Sequence, residues 1–299
     1  MKATTVTVAF GIVVILGAVI GFGLTGGVAN DSELRATWTS DTGRQVSANH
    51  HAVAVADGGV YAPISDDGDG SCALISMDMV DGDTRWTYGI PSENCTIHAV
   101  ADPTVTDVDS DGQNEVLAAT TEKEVAILDT NSGDIETRLN LSDYGYTQPI
   151  VADLAPTTGQ EIIAVDVTGT VFVFGSDGTT LWTASLNEYV WAQPTVEDFD
   201  RDSRPELLVG GQNGNAVLFG HNGTVEWNTT VSDKGSITWG THGQADEDSA
   251  LESFFATTGG DIVAVDGRNG SVEWRTMIGE FAAVRAFGDA DSDGSSEVY

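Results

Sequence analysis

Short runs in which apolar and polar residues alternate recur along most of the chain. Examples are Glu124–Asp129 (EVAILD), Thr170–Gly175 (TVFVFG), Asn215–Gly220 (NAVLFG) and Asp261–Asp266 (DIVAVD). Alternation with period two between Gly-rich turns is the pattern of β-strands. No segment after residue 30 carries a helical period, so almost no helix is expected there. Two markers set a register. Asp107, Asp153, Asp198, Asp246 and Asp289 follow one another at intervals of 43 to 48 residues. A turn-and-strand marker also recurs: GDTRW ending at Trp86, GDIET at Thr137, GTTLW at Trp182, GTVEW at Trp227 and GSVEW at Trp274. Each unit thus reads as four strands: A before the acidic position, B after it, C at the alternating run and D at the Trp.

A unit of about 45 residues with four strands is one propeller blade, which must stack on its neighbours to bury its faces. The expected fold class is all-β, a β-propeller of four-stranded blades with an N-terminal transmembrane or signal helix. Residues 1–30 form the anchor or signal peptide and residues 31–299 the propeller. Blades fall at about 50–90, 97–141, 146–186, 191–231 and 239–278, with a partial blade at 282–299. The Trp of strand D is read as packing between blades. Arg35–Trp38 looks like an isolated strand D, and Val284–Tyr299 offers strand A, an acidic loop and only the start of strand B. A propeller that is incomplete at its C-terminus, continuing past Tyr299, is therefore expected. A six-bladed ring with a defective last blade is the alternative.

Thr5–Ala29 carries no charge and follows Lys2. It is long enough to span a bilayer, which takes about 20 apolar residues. A retained single-pass anchor is expected, with cleavage near Gly27-Val28-Ala29 and secretion as the alternative. Either way the propeller lies outside the cytoplasm. Cys72 and Cys95, the only cysteines, form a plausible pair in an oxidising compartment. Sequons at Asn30, Asn94, Asn140, Asn222, Asn228 and Asn269 agree with export, and only some are expected to be glycosylated.

Charge changes the picture further. The net charge is -34, from 46 acidic against 12 basic residues. Such a chain repels itself strongly unless salt screens it, and at molar salt the Debye length falls to about 3 Å. This composition resembles that of haloarchaeal proteins. No basic patch exists to bind phosphate, so nucleic acid is excluded as a partner.

The acids also suggest chemistry. DVDSDGQNE (Asp107–Glu115), DFDRDSRPE (Asp198–Glu206) and DADSDGSSE (Asp289–Glu297) place Asp at positions 1, 3 and 5 and Glu at position 9. Hard carboxylate oxygens converging in a tight turn suit Ca²⁺. The expected ligands are Asp107, Asp109, Asp111, the Gln113 carbonyl and Glu115; Asp198, Asp200, Asp202 and Glu206; and Asp289, Asp291, Asp293 and Glu297. Ser203 stands where the other two loops have Gly112 and Gly294. The loop at Asp153 keeps only its first and last acids, so no metal is expected there. The loop at Asp246 is two residues shorter than the others, and at most a weak site is expected.

These acidic loops, beside FG dipeptides at Phe174-Gly175, Phe219-Gly220 and Phe287-Gly288, resemble the FG-GAP/VCBS repeats of integrin-type propellers. The pattern Ala264–Trp274 resembles the PQQ-like propeller repeat. Both resemblances imply a propeller over about residues 34–299. They say little about activity, because one fold hosts many functions.

The entrances to strand A offer a second constellation. Tyr146, Trp191 and Trp239 precede their loop Asp by seven residues, and Gln148 and Gln193 by five. In a propeller these starts face the channel mouth on the side away from the acidic loops. Aromatic faces with amide donors suit a glycan or an extended peptide. The five histidines show no zinc spacing, and no nucleophile elbow or P-loop occurs. No enzyme activity is expected. The expected function is an exported, membrane-anchored, calcium-stabilised module that binds an envelope protein or glycan at the cell surface. The alternatives are a structural scaffold of an envelope assembly, a quinone-dependent dehydrogenase-like enzyme, or a non-catalytic part of a larger secreted enzyme.

Overall fold

The structure, a computed structural model, describes residues 36–40, 51–66 and 70–299. The expected anchor or signal helix and the sequon at Asn30 lie outside the described residues. The chain divides into Met1–Thr37, of which only Ala36 and Thr37 are described, and Trp38–Tyr299, to which everything below refers. No helix among the described residues is long and apolar enough to cross a membrane.

The second unit is all-β. Its first sheet holds β1 (Ala54–Ala56), β2 (Gly59–Ile64), β3 (Ala73–Asp78) and β4 (Thr84–Gly89). The second holds β5 (Thr104–Thr106), β6 (Glu115–Thr120), β7 (Glu124–Asp129) and β8 (Ile135–Asn140). The third holds β9 (Ile150–Ala152), β10 (Glu161–Val165), β11 (Thr170–Gly175) and β12 (Thr180–Ser185). The fourth holds β13 (Thr195–Glu197), β14 (Glu206–Gly210), β15 (Asn215–Phe219) and β16 (Val225–Thr230). The fifth holds β17 (Ile237–Gly243), β18 (Glu252–Thr257), β19 (Asp261–Asp266) and β20 (Val272–Met277). A two-stranded sheet of β21 (Phe287–Gly288) and β22 (Glu297–Val298) follows. Within every sheet the strands pair antiparallel in chain order, which is the meander of a propeller blade.

Burial follows strand position. The first strands β5, β9 and β13 are half-buried, β6 is buried throughout, and β8 is exposed except at Leu139. First strands of neighbouring blades touch, β1 against β5, β5 against β9 and β17 against β21. The core therefore lies between blades. Tyr61, Leu74 and Trp86 of the first blade pack with Val116, Ala126 and Leu128 of the second. Leu208, Leu218 and Trp227 of the fourth pack with Phe255, Val263 and Val265 of the fifth.

The Trp of strand D is an inter-blade latch. Trp86 Nε1 donates to the Thr130 carbonyl at 2.9 Å, Trp182 to His221 at 3.1 Å and Trp227 to Gly267 at 2.8 Å. Each acceptor sits in the turn between strands C and D of the next blade. Trp38 makes the same bond to Met79 at 2.9 Å. The indole lies flat on the glycine of that turn. A Cβ at Gly133 would stand 2.6 Å from Trp86, and one at Gly270 2.7 Å from Trp227, while both glycines hold positive φ. Only glycine meets both demands. The second blade has Thr137 in place of Trp, and there Leu139 covers Gly178. Every C–D pair also shifts register next to this contact, for example between Ile127 and Leu128 and between Leu218 and Phe219. A bulge repeated at one place bends each outer strand in the same way.

Candidate metal centres and an aromatic face

The turn from strand A to strand B carries the acidic loops, and backbone conformation makes their carboxylates converge. Position 4 has positive φ in all three full loops: Ser110 at 66°, Arg201 at 63° and Ser292 at 64°. Position 6 follows suit at Gly112 (91°), Ser203 (75°) and Gly294 (91°). The first Asp receives the amides of this bend. Gly112 N donates to Asp107 Oδ2 at 2.9 Å, Ser203 N to Asp198 Oδ2 at 3.1 Å and Gly294 N to Asp289 Oδ2 at 2.9 Å.

Asp198, Asp200, Asp202 and Glu206 bring one oxygen each to within 4.8 Å of one another, and so do Asp289, Asp291, Asp293 and Glu297. In the first loop Asp107, Asp109 and Glu115 meet this way, but Asp111 does not join them. Asp111, Asp202 and Asp293 all accept the amide two residues on, but only Asp111 also accepts a side chain, from Gln113 Nε2 to its Oδ2 at 3.1 Å, which holds that oxygen elsewhere. The loop at Asp246 is not shortened as the sequence suggested: Gly243 pairs with Glu252 as Thr106 does with Glu115 and Glu197 with Glu206, so Gln244 stands at position 1, and Asp246, Asp248 and Glu252, at positions 3, 5 and 9, also come together.

The carboxylates are crowded and in part desolvated. Asp198 Oδ1 and Glu252 Oε1 are buried without a hydrogen-bond partner. Burial pushes the Glu206 carboxyl up to about 8; the Phe199 amide opposes this, and Asp200 adds to it. Burial likewise raises Glu115 and Glu252. Unpaired buried carboxylate oxygens are costly. A bound hard cation would offset that cost, so the residues present fit Ca²⁺.

The closing Glu has a second role that its sequence position did not reveal. Its Oε2 accepts the amide of loop position 2: Val108 to Glu115 at 2.9 Å, Leu154 to Glu161 at 2.8 Å and Phe199 to Glu206 at 2.8 Å. The bond from Ala245 to Glu252 repeats it. Glu161 does this in a loop that has lost the acids of positions 3 and 5.

At the other end of strand A the structure joins some expected residues and separates others. Tyr146 lies 4.6 Å from His98 and 6.3 Å from Tyr189 between ring centroids, and Tyr189 lies 6.3 Å from Trp191. Tyr189 and Trp191 are each about two-fifths exposed (41% and 39%), so this aromatic line is open to solvent. Trp191 still donates its indole N–H to the Ile237 carbonyl at 2.7 Å, a bond between blades. Trp239 belongs to another group, with the Arg285 guanidinium 4.2 Å over its ring and Phe281 at 5.8 Å. The two glutamines, expected to face a ligand, instead bond to the backbone. Gln193 Oε1 accepts from Gln148 N at 2.9 Å, its Nε2 donates to the Gln148 carbonyl at 3.0 Å, and Gln148 Nε2 donates to the Pro103 carbonyl at 3.2 Å.

Three residues that sequence reasoning left unassembled sit beside Tyr146. His51 Nδ1 is 2.8 Å from Asp102 Oδ1, and His51 Nε2 is 3.2 Å from His98 Nδ1. His51 precedes β1 and His98 precedes β5, so both stand at entrances to first strands on the same side. That shared placement, rather than any short motif, was the signal. Cys72 and Cys95 are bonded, with Cα atoms 5.3 Å apart, and close the start of β3 onto the connection that carries His98.

Comparison with known proteins agrees on the fold. The structure is similar to that of the V. cholerae biofilm matrix protein Bap1, with TM-score 0.58 and 19% identity over 74% of this chain and 35% of that chain. It is similar to BamB from Moraxella catarrhalis, with TM-score 0.58 and 17% identity over 80% of this chain and 64% of that one. A third relative, BBS1N in complex with ARL6DN, has TM-score 0.50 and 11% identity over 77% of this chain and 67% of that one. The chain thus spans about a third of the first structure's length and under two-thirds of the second's. No curated protein matches its sequence. Residues 14–155 and 151–293 each match the family described as outer membrane protein assembly factor BamB. On that match the chain belongs to this family of PQQ-like β-propellers, a fold consistent with an interaction or assembly module.

Proposed function

We propose that the chain is an exported, membrane-anchored and calcium-stabilised β-propeller that binds an envelope protein or glycan at the cell surface, without catalytic activity. One observation carries the calcium reading: Asp198, Asp200, Asp202 and Glu206 converge around a buried and unpartnered Asp198 oxygen. The likeness of the loops to FG-GAP/VCBS repeats supports it. In this reading Asp107, Asp109 and Glu115 hold one Ca²⁺, the four acids from Asp198 to Glu206 another, and those from Asp289 to Glu297 a third. It extends to Asp246, Asp248 and Glu252. The role is structural, because the loop at Asp153 folds around Glu161 alone, so a blade can dispense with its ion. Export and anchoring are supported by Thr5–Ala29, and a surface role by the aromatic line from Tyr146 to the exposed Tyr189 and Trp191. A second reading, a scaffold within an envelope assembly, is favoured by the family match.

The test is thermal melting of the full chain in molar NaCl, with calcium and then with excess chelator. An ion at about 100-fold over its dissociation constant adds about 2.7 kcal/mol per site. Each kcal/mol moves the midpoint of a domain this size by about 2–4 °C. Calcium is expected to raise the midpoint, and Asp200→Asn with Asp202→Asn to reduce the rise. Superimposable melts would remove calcium from the reading.

A further inference from the structure

We infer that His51 and His98 form a site for a divalent transition metal of the zinc class, separate from the acidic loops. The two imidazoles meet edge to face, with centroids 5.3 Å apart and planes at 86°. His51 Nε2 and His98 Nδ1 face each other at 3.2 Å. Two nitrogens bound to one tetrahedral Zn²⁺, each about 2.0–2.1 Å from it, stand about 3.4 Å apart. The pair is thus already spaced to share an ion.

Asp102 sets the chemistry of the pair. Its Oδ1 accepts from His51 Nδ1 at 2.8 Å and from the Ala52 amide at 2.9 Å. A carboxylate on Nδ1 fixes the proton there and leaves Nε2 a lone pair. This is the carboxylate–histidine arrangement that orients metal-ligating imidazoles and raises their basicity. The His51 side chain is 7% exposed, so the ring is held in place. His98 reaches it from a strained backbone with φ of 66°, a conformation uncommon outside glycine and concentrated at functional sites. His98 Nε2 lies 3.4 Å from the Tyr146 hydroxyl, which orients the second ring as Asp102 orients the first.

Without metal, a proton on His98 Nδ1 bridges the two rings. For the metal to take that nitrogen, the proton moves to His98 Nε2, which then donates to the Tyr146 hydroxyl oxygen, so the neutral pair binds without net proton release. The two imidazole nitrogens supply two of the ion's coordination positions.

The experiment uses the full chain saturated with calcium in molar NaCl, so that the acidic loops are occupied, and titrates it with Co²⁺ and Zn²⁺. One equivalent of Co²⁺ is expected to give the strong visible absorption of four-coordinate Co²⁺, and Zn²⁺ to displace it. His51→Ala and His98→Ala should abolish the absorption. Asp102→Asn, which retains a hydrogen bond, should weaken binding about 10- to 100-fold. Far-ultraviolet circular dichroism identifies any variant that does not fold, and Asp102→Asn then decides. Equal binding by wild type and Asp102→Asn, or only the weak spectrum of six-coordinate Co²⁺, would overturn the inference.

Discussion

Ser203 occupies the sixth position of its acidic loop with φ of 75°, where the two equivalent loops use Gly112 and Gly294. A side chain in the left-handed region costs about 1–2 kcal/mol. Ser203→Gly should therefore stabilise the protein by about 1 kcal/mol, allowing for the greater freedom of glycine in the unfolded chain. Denaturant unfolding would show the gain, and a loss would mean the hydroxyl matters more than the strain. Tyr88 gives a pH prediction. Burial, then the hydrogen bond to Glu122, pushes its phenol from 10.0 up to about 12. A group with a raised folded value stabilises fully below its unfolded value. Its contribution should then be lost as pH rises from about 10 through about 12. Unfolding midpoints across this window, compared with Tyr88→Phe, would check it: the wild type should lose its advantage over the variant as pH rises.

At the scale of the element, strand D acts through one ring. Trp86 buries its indole against Gly133 and donates to the Thr130 carbonyl at 2.9 Å. Trp86→Phe keeps most of the packing and leaves that buried carbonyl only the Tyr61 hydroxyl at 3.5 Å, which should cost about 1 kcal/mol. A melt that does not move would show that packing alone holds the blades. Much of this was legible in the sequence. The GTVEW-type marker and the alternating runs placed strands C and D, because period-two burial and turn glycines are local signals. The acidic position placed the A–B turn for the same reason. The second role of Glu161 and its counterparts was not legible, since a backbone amide leaves no mark on side-chain identity. Nor was the diversion of Asp111 by Gln113, which depends on one rotamer.

For the whole molecule, contacts between distant repeats set what could be read. The Gln148–Gln193 pair and the group formed by Trp239, Phe281 and Arg285 arise from how neighbouring blades meet, and periodicity within a blade does not encode that. The same is true of His51 and His98, whose meeting depends on blade packing and not on local spacing. The charge of -34 places one further demand on the molecule, because its acids must be neutralised or screened for the blades to pack. Bound calcium at the A–B loops meets part of that demand where the carboxylates are densest.

Calorimetric titration of the chelator-stripped full chain with calcium, in molar salt, tests this account most directly. The prediction is one saturable equivalent for each of the four carboxylate clusters, none for the loop at Asp153, and one fewer in the Asp200→Asn, Asp202→Asn variant. Heats that never saturate, or an unchanged count in the variant, would mean that these acids serve only to keep the surface solvated in salt.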